Sequence, residues 1–179
     1  IYDQISEKIA QDDHLPRALF ERFNIETLAT TDAALDELDH HAAIKNSGWT
    51  GRIIPTFRPD GVLDPLDPRF VQNLQELEEM TGYDLGDYSG YLDAVRSRRA
   101  YFIQMGATAT DHAIEVIHTE WLEHPDVLYQ SIKLGDGTLE DARRLYGHML
   151  IEMAQMSVDD GLTMQIHGGS RRNTNTKIL

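Results

Sequence analysis

Gly161-Leu-Thr-Met-Gln-Ile-His-Gly-Gly-Ser-Arg-Arg-Asn-Thr-Asn175 is the stretch that decides the fold. Leu162 to Ile166 reads as a short buried strand, and it runs into His167, two glycines, two arginines and two asparagines. In parallel α/β proteins ligands bind beyond the carboxyl ends of the strands. Three other strand-like runs end in the same manner. Leu28-Ala-Thr-Thr leads to Asp32, Ile53-Ile-Pro-Thr-Phe leads to Arg58-Pro59-Asp60, and Ala107-Thr-Ala-Thr leads to Asp111-His112. The expectation is that four polar strand ends meet in one place.

Outward from these ends, the chain alternates strands with helical patterns. Ile1, Ile5 and Ile9 recur at helical spacing, and Pro16 opens a further helix, so residues 1–22 read as helical. Strands are expected at Ile25 to Thr30, Arg52 to Phe57, Ala107 to Thr110 and Leu162 to Ile166. Asp32 suits the N-cap of a helix over 33–46. On that helix His40 and His41 point about 100° apart, which is poor for chelating one metal and suits a partly exposed helix end. An irregular loop is expected at Asp60 to Pro68. Helices follow at 69–80, 87–105, 113–122, 125–134 and 138–156. Thr138 with Asp141 gives the last of these a box-like start, and its methionines read as core filler. Arg96, Arg98 and Arg99 read as a solvated basic face. Four βα alternations predict a parallel sheet in one domain spanning residues 1–179. The small residues of Ala107 to Thr110 suit a tightly packed barrel wall.

Composition narrows the functional classes. The chain has 179 residues, 41 % of them hydrophobic and 26 % charged, which is ordinary for a globular domain with a real core. Its formal net charge of −14 argues against nucleic acid and anionic membrane surfaces as partners. It does not argue against a small anionic substrate, because a few arginines in a cleft reverse the local sign. No apolar run approaches the ~20 residues of a membrane span. There is no cysteine, hence no disulfide framework and no thiolate zinc site. A cytoplasmic location is the expectation. The first residue is Ile1 rather than Met, so the chain reads as a part of something longer.

No P-loop, dinucleotide fingerprint, HExxH or GxSxG pattern is present, and the strand-end residues carry the chemistry. His167 suits a metal ligand, an acid/base group or a hydrogen-bonded core histidine. Asp111-His112 suits a site pair or a helix cap beside a surface histidine. Arg58, between an apolar strand and a proline, suits a bidentate grip on a carboxylate or a surface salt bridge. Arg172 with Asn173 suits the same grip, or hydrogen bonds to sugar hydroxyls.

Five blocks in order resemble one family. They are Leu19-Phe20-Glu-Arg-Phe-Asn-Ile-Glu-Thr-Leu-Ala-Thr-Thr-Asp32, Arg52-Ile-Ile-Pro-Thr-Phe-Arg-Pro-Asp60, Gly106-Ala-Thr-Ala-Thr-Asp-His112, Gly147-His-Met-Leu-Ile-Glu-Met153, and Gln165-Ile-His167 followed by Arg172-Asn173. The family is uronate isomerase (glucuronate isomerase), of the amidohydrolase superfamily. The resemblance implies a distorted (β/α)8 barrel of the TIM type, of which this chain holds about four βα units. It implies interconversion of D-glucuronate with D-fructuronate and of D-galacturonate with D-tagaturonate, with a divalent metal, usually zinc. By motif, Arg58 would hold the substrate carboxylate, Asp111 and Arg172 would be catalytic, Arg172 and Asn173 would bind substrate, and His167 would be a metal ligand. A homo-oligomer is a further expectation.

The chain departs from the family pattern in three places. It has no His-x-His pair, no aspartate of an eighth strand, and Ala33-Ala34 where the family often has Asp-Pro. It therefore resembles the middle of the family's sequence, barrel strands two to five. On this reading the isolated chain would be inactive. Two rival classes are a metal-dependent hydrolase of the same superfamily and a binding-only or inert fragment.

Overall fold

The polar strand ends are set by a parallel sheet in which chain order equals spatial order. In the computed structural model, which describes residues 1–169, the strands are β1 (Leu28–Ala33), β2 (Ile53–Arg58), β3 (Ala109–Ile114) and β4 (Thr163–Gly168). They pair side by side as β1-β2-β3-β4, all parallel. The helices between them are α3 (Asp39–Asn46), α4 (Asp60–Leu63), α5 (Phe70–Thr81), α6 (Tyr88–Met105), α7 (Pro125–Lys133) and α8 (Leu139–Asp160). Before β1 lie α1 (Tyr2–Ile9), a 3₁₀ turn at Asp12–His14 and α2 (Pro16–Arg22). This is a consecutive run of βα units, part of a (β/α) barrel.

Residues paired across parallel strands share a face of the sheet. Phe57 pairs with Thr110, and the Phe57 ring meets Phe102 of α6 edge-on at 5.0 Å. That face is the helix-covered one. Phe57, Phe102, Leu74, Leu77, Tyr91, Tyr129, Leu145, Met149 and Met153 form its core. The methionines of α8 are core filler, as their helical spacing predicts. Thr138 and Asp141 exchange reciprocal bonds at the start of α8, a true capping box.

Several boundaries differ from the sequence reading. β1 begins at Leu28, not Ile25, because pairing starts where the Leu28 amide reaches the Arg52 carbonyl. It continues through Asp32 and Ala33, which pair with Phe57 and Arg58, so Asp32 caps no helix. The next helix starts only at Asp39. Residues 34–38 form a loop held by Arg98, whose guanidinium donates to the Ala34 and Asp36 carbonyls at 2.8 and 2.7 Å. The loop expected at Asp60 opens instead with the single turn of α4.

No helix forms over 113–122. Strand β3 runs on to Ile114, because the Ala113 amide donates to Asp60 and the Ile114 carbonyl accepts from Gly169. The following loop is docked on α8: Arg144 grips Glu120 at 2.8 Å, and the Leu122 amide donates to His148 Nδ1 at 3.2 Å. Arg98 and Arg99, read as a solvated face, are buried, and only Arg96 of that cluster is exposed. Ile1, Ile5 and Ile9 do lie on a helix, yet α1 buries none of its residues.

Candidate functional site

Alternation along the strands sorts the strand-end residues into two sets. Arg58 pairs with Ala33, Asp111 with Gln165, and Ala113 with His167. Arg58, Asp111 and His167 therefore lie on the face opposite Phe57, at the carboxyl ends of three adjacent strands. Arg58 Nη1 is 3.7 Å from Asp111 Oδ2, and His167 Nδ1 is 2.7 Å from Asp111 Oδ1. The row grades from closed to open: side-chain exposure is 6 % at Asp111, 22 % at Arg58 and 63 % at His167. The His167 contact is at ion-pair distance but out of line for a hydrogen bond. Asp111 Oδ1 is thus a buried oxygen with no hydrogen-bond partner among the described residues. Such an atom is costly unless a ligand or further side chain completes it.

Asp60 joins the row from just beyond β2. Its Oδ2 accepts from Arg58 Nε at 2.7 Å and its Oδ1 from the Ala113 amide at 3.1 Å. Burial pushes the Asp60 carboxyl above its ordinary value, and the Arg58 hydrogen bond and the Ala113 amide act against that rise. A cleft of about 350 Å³ opens beside Ala33, Arg58 and Asp60, and Arg69 and Asn73 also line it.

The other strand-end residues point away. Asp32 pairs with Phe57 and so faces the helix side. There Thr30 Oγ1 donates to Asp32 at 2.7 Å and lies 2.8 Å from His41 Nε2 of α3. His40 is exposed, as expected at a helix end, and His41 is partly so, with 10 % of its side chain exposed. His112 likewise faces the helices and is buried, with Thr110 Oγ1 3.0 Å from its Nε2. Burial first, and the nearby Arg99 charge second, pull its pKa down to about 4. The four ends thus do not converge: β1 presents Ala33 to the site, and β2, β3 and β4 supply the polar groups. Arg172 and Asn173 lie outside the described residues.

A metal is the other expectation to test against the geometry. His167 and the orphaned Asp111 Oδ1 are suitable nitrogen and oxygen donors. No group of three or more His, Cys, Asp or Glu that could hold a metal occurs among the described residues. Usual zinc sites have three protein ligands or more, so these residues alone make at most part of a site.

Sequence reasoning placed Arg58, Asp111 and His167 but gave Asp60 no role. The available signal was Pro59, which turns the chain so that residue 60 folds back on residue 58. What fold and site together define is a segment of a (β/α) barrel with a charged site at the carboxyl ends of its strands.

Comparison with known proteins then places the segment. A family model described as glucuronate isomerase matches residues 1–179, and the chain belongs to that family. It is 52 % identical to the uronate isomerase of Rhizorhabdus wittichii over 180 residues, covering 99 % of this chain and 39 % of that protein. It is 49 % identical to the uronate isomerase of Rhizobium meliloti over 181 residues, 100 % of this chain and 39 % of the relative. The crystal structure of glucuronate isomerase from Caulobacter crescentus superposes with a TM-score of 0.93 at 46 % identity, over 99 % of this chain and 37 % of that one. Uronate isomerase from Thermotoga maritima shares the fold, with a TM-score of 0.85 at 22 % identity over 90 % of this chain and 37 % of that one. The chain spans about 39 % of the length of the curated relatives it matches.

Proposed function

We propose that the protein of which these residues form the site is a uronate isomerase that interconverts D-glucuronate with D-fructuronate and D-galacturonate with D-tagaturonate. The observation that carries this reading is the row Arg58–Asp111–His167 at three adjacent strand ends, in a chain of the glucuronate isomerase family. The reaction needs a base to take the C2 proton, with the C–H electron pair forming the C1–C2 double bond while the C1 carbonyl π pair moves to its oxygen, which takes up a proton to give an enediol. It then needs an acid to return a proton to C1 as the C2 hydroxyl becomes the carbonyl. Nothing is oxidised or reduced overall.

In this reading Arg58 anchors the far carboxylate, its plane held by Asp60. Asp111, buried and with one oxygen unpartnered, relays a proton or polarises a neighbouring group. Arg172 stabilises developing negative charge on the sugar oxygens, and Asn173 hydrogen-bonds substrate. His167, the exposed end of the row, contacts substrate or serves as one ligand of a divalent metal, zinc by its donor type. Such an ion, its remaining ligands supplied from outside the described residues, would act as a Lewis acid. Membership of the amidohydrolase superfamily, a homo-oligomeric state and a cytoplasmic location belong to the same proposal. No helix among the described residues is long and apolar enough to cross a membrane.

The test is a ¹H NMR assay of D-glucuronate conversion by the full-length protein and its Arg58→Ala variant. Turnover by the wild type is expected. Loss of a charged hydrogen-bonded anchor should raise KM about tenfold or more. An unchanged KM would remove Arg58 from the carboxylate site, and absence of turnover would defeat the reading.

A further inference from the structure

Arg58 is a long side chain with rotamer freedom to lose, so a residue that holds it in place contributes to any ligand grip it makes. Asp60 is the residue that does so. Its two carboxylate oxygens each meet an N–H donor: Arg58 Nε at 2.7 Å on one side and the Ala113 amide of β3 at 3.1 Å on the other. The mount itself is fixed. Asp60 opens the single turn of α4, whose Gly61 carbonyl accepts from Asn73 of α5 at 2.6 Å and whose Val62 carbonyl accepts from Tyr91 of α6 at 2.7 Å. Asn73 and Tyr91 are both buried. The carboxylate is therefore tied to β3 and the turn that carries it to α5 and α6, while the guanidinium it holds lines the cleft.

We propose that Asp60 is a positioning residue that presents the Arg58 guanidinium to the carboxylate of a sugar acid, an inference that rests on the uronate reading of this site. Both of its neighbours are N–H donors, and Oδ2 lies within reach of each, since the Ala113 amide is also 3.4 Å from it. An asparagine oxygen at the Oδ2 place keeps the Arg58 bond but loses the charge that strengthens it. Asp60→Asn is thus expected to fall between the wild type and Asp60→Ala. Asp111 Oδ2, 3.7 Å from Arg58 Nη1, is beyond hydrogen-bond distance of that nitrogen in the wild type.

The experiment is a double-mutant cycle in the full-length protein, with KM and kcat for D-glucuronate measured for D60A, D60N, R58A and R58A/D60A. D60A should raise KM about tenfold and D60N by less than D60A, with kcat changed less than KM in both. In the R58A background, D60A should raise KM no further. An unchanged KM in D60A overturns the proposal. So does an equal fold-loss with and without Arg58, which would mark a structural role through the Ala113 amide alone.

A crystal structure of the D60A protein supplies a readout that does not depend on the substrate. Arg58 should swing away from its wild-type place, and an unmoved guanidinium overturns the inference. If the wild type neither binds nor converts D-glucuronate, the uronate reading fails and the inference falls with it. If Arg58 still moves in D60A, the fault lies in the choice of substrate and not in the geometry.

Discussion

Asp111 and His112 are neighbours in sequence and opposites in environment. Asp111 faces the site beside Arg58 and His167, whereas His112 faces the helices and is buried at 1 % exposure. Burial, then the Arg99 charge, lower the His112 pKa from 6.5 to about 4. A group of this kind binds its proton in the unfolded chain before it does so in the folded one. Between about pH 6.5 and pH 4 the unfolded state therefore holds more protons, and stability falls as pH falls through that window. The full effect is on the order of 3 kcal/mol. Urea unfolding midpoints of wild type and His112→Gln, taken from pH 7 to pH 4, check this. The wild type should lose stability relative to the variant as the solution is acidified; a constant difference would mean that His112 charges freely in the fold.

Between elements, α6 and α8 are joined by an ion pair whose arginine is buried and whose aspartate is partly exposed. Arg99 is 1 % exposed, and its Nε and Nη2 donate to the two Asp160 oxygens at 2.6 and 3.0 Å. Nη2 also donates to Ser157 Oγ at 3.0 Å. Burial pushes the Asp160 carboxyl up, and the Arg99 bonds, the Leu162 amide and the Arg99 charge pull it below its ordinary range. Asp160 also starts the turn into β4, since it accepts from the Leu162 amide just after the left-handed Gly161. Removing one partner of such a pair leaves a charge buried without compensation, which costs about 3–5 kcal/mol. Asp160→Ala should lose about that much in chemical denaturation. A loss under about 1 kcal/mol would show that Arg99 finds water or another acceptor. This pair also explains why the arginine cluster of α6 was not legible as core. An arginine at helical spacing reads as surface until the acid that neutralises it, 61 positions later, is brought alongside.

At the scale of the whole molecule, charge and burial are unevenly spread. The chain carries a net charge of −14, and its paired charges include the Arg99–Asp160 and Arg144–Glu120 bridges. Like-charge repulsion of this size opposes compaction. Raising NaCl from about 0.01 M to about 1 M shortens the screening length from about 30 Å to about 3 Å. The Tm should rise across that range, because surface repulsion is screened fully while the Arg99–Asp160 pair, buried on its arginine side, is screened less. A falling Tm would mean that exposed ion pairs outweigh the repulsion.

The sequence by itself determined the parallel βα order, the long helices α5, α6 and α8, the capping box at Thr138, and the family. It also supplied the candidates Arg58, Asp111 and His167. These follow from local causes: hydrophobic period, caps and glycines act within a turn or two, and block motifs are read in order along the chain. Tertiary structure alone decided which strand-end residues meet. One step along a strand reverses the face, so the extension of β1 past Thr30 to Ala33 put the Asp32 carboxylate on the side of His41 and left Ala33 at the site. Likewise β3 continued past Asp111 because Asp60 and Gly169 satisfied its last backbone groups. Those partners lie 53 and 55 positions away from the groups they satisfy, beyond the reach of any pattern in the residues between.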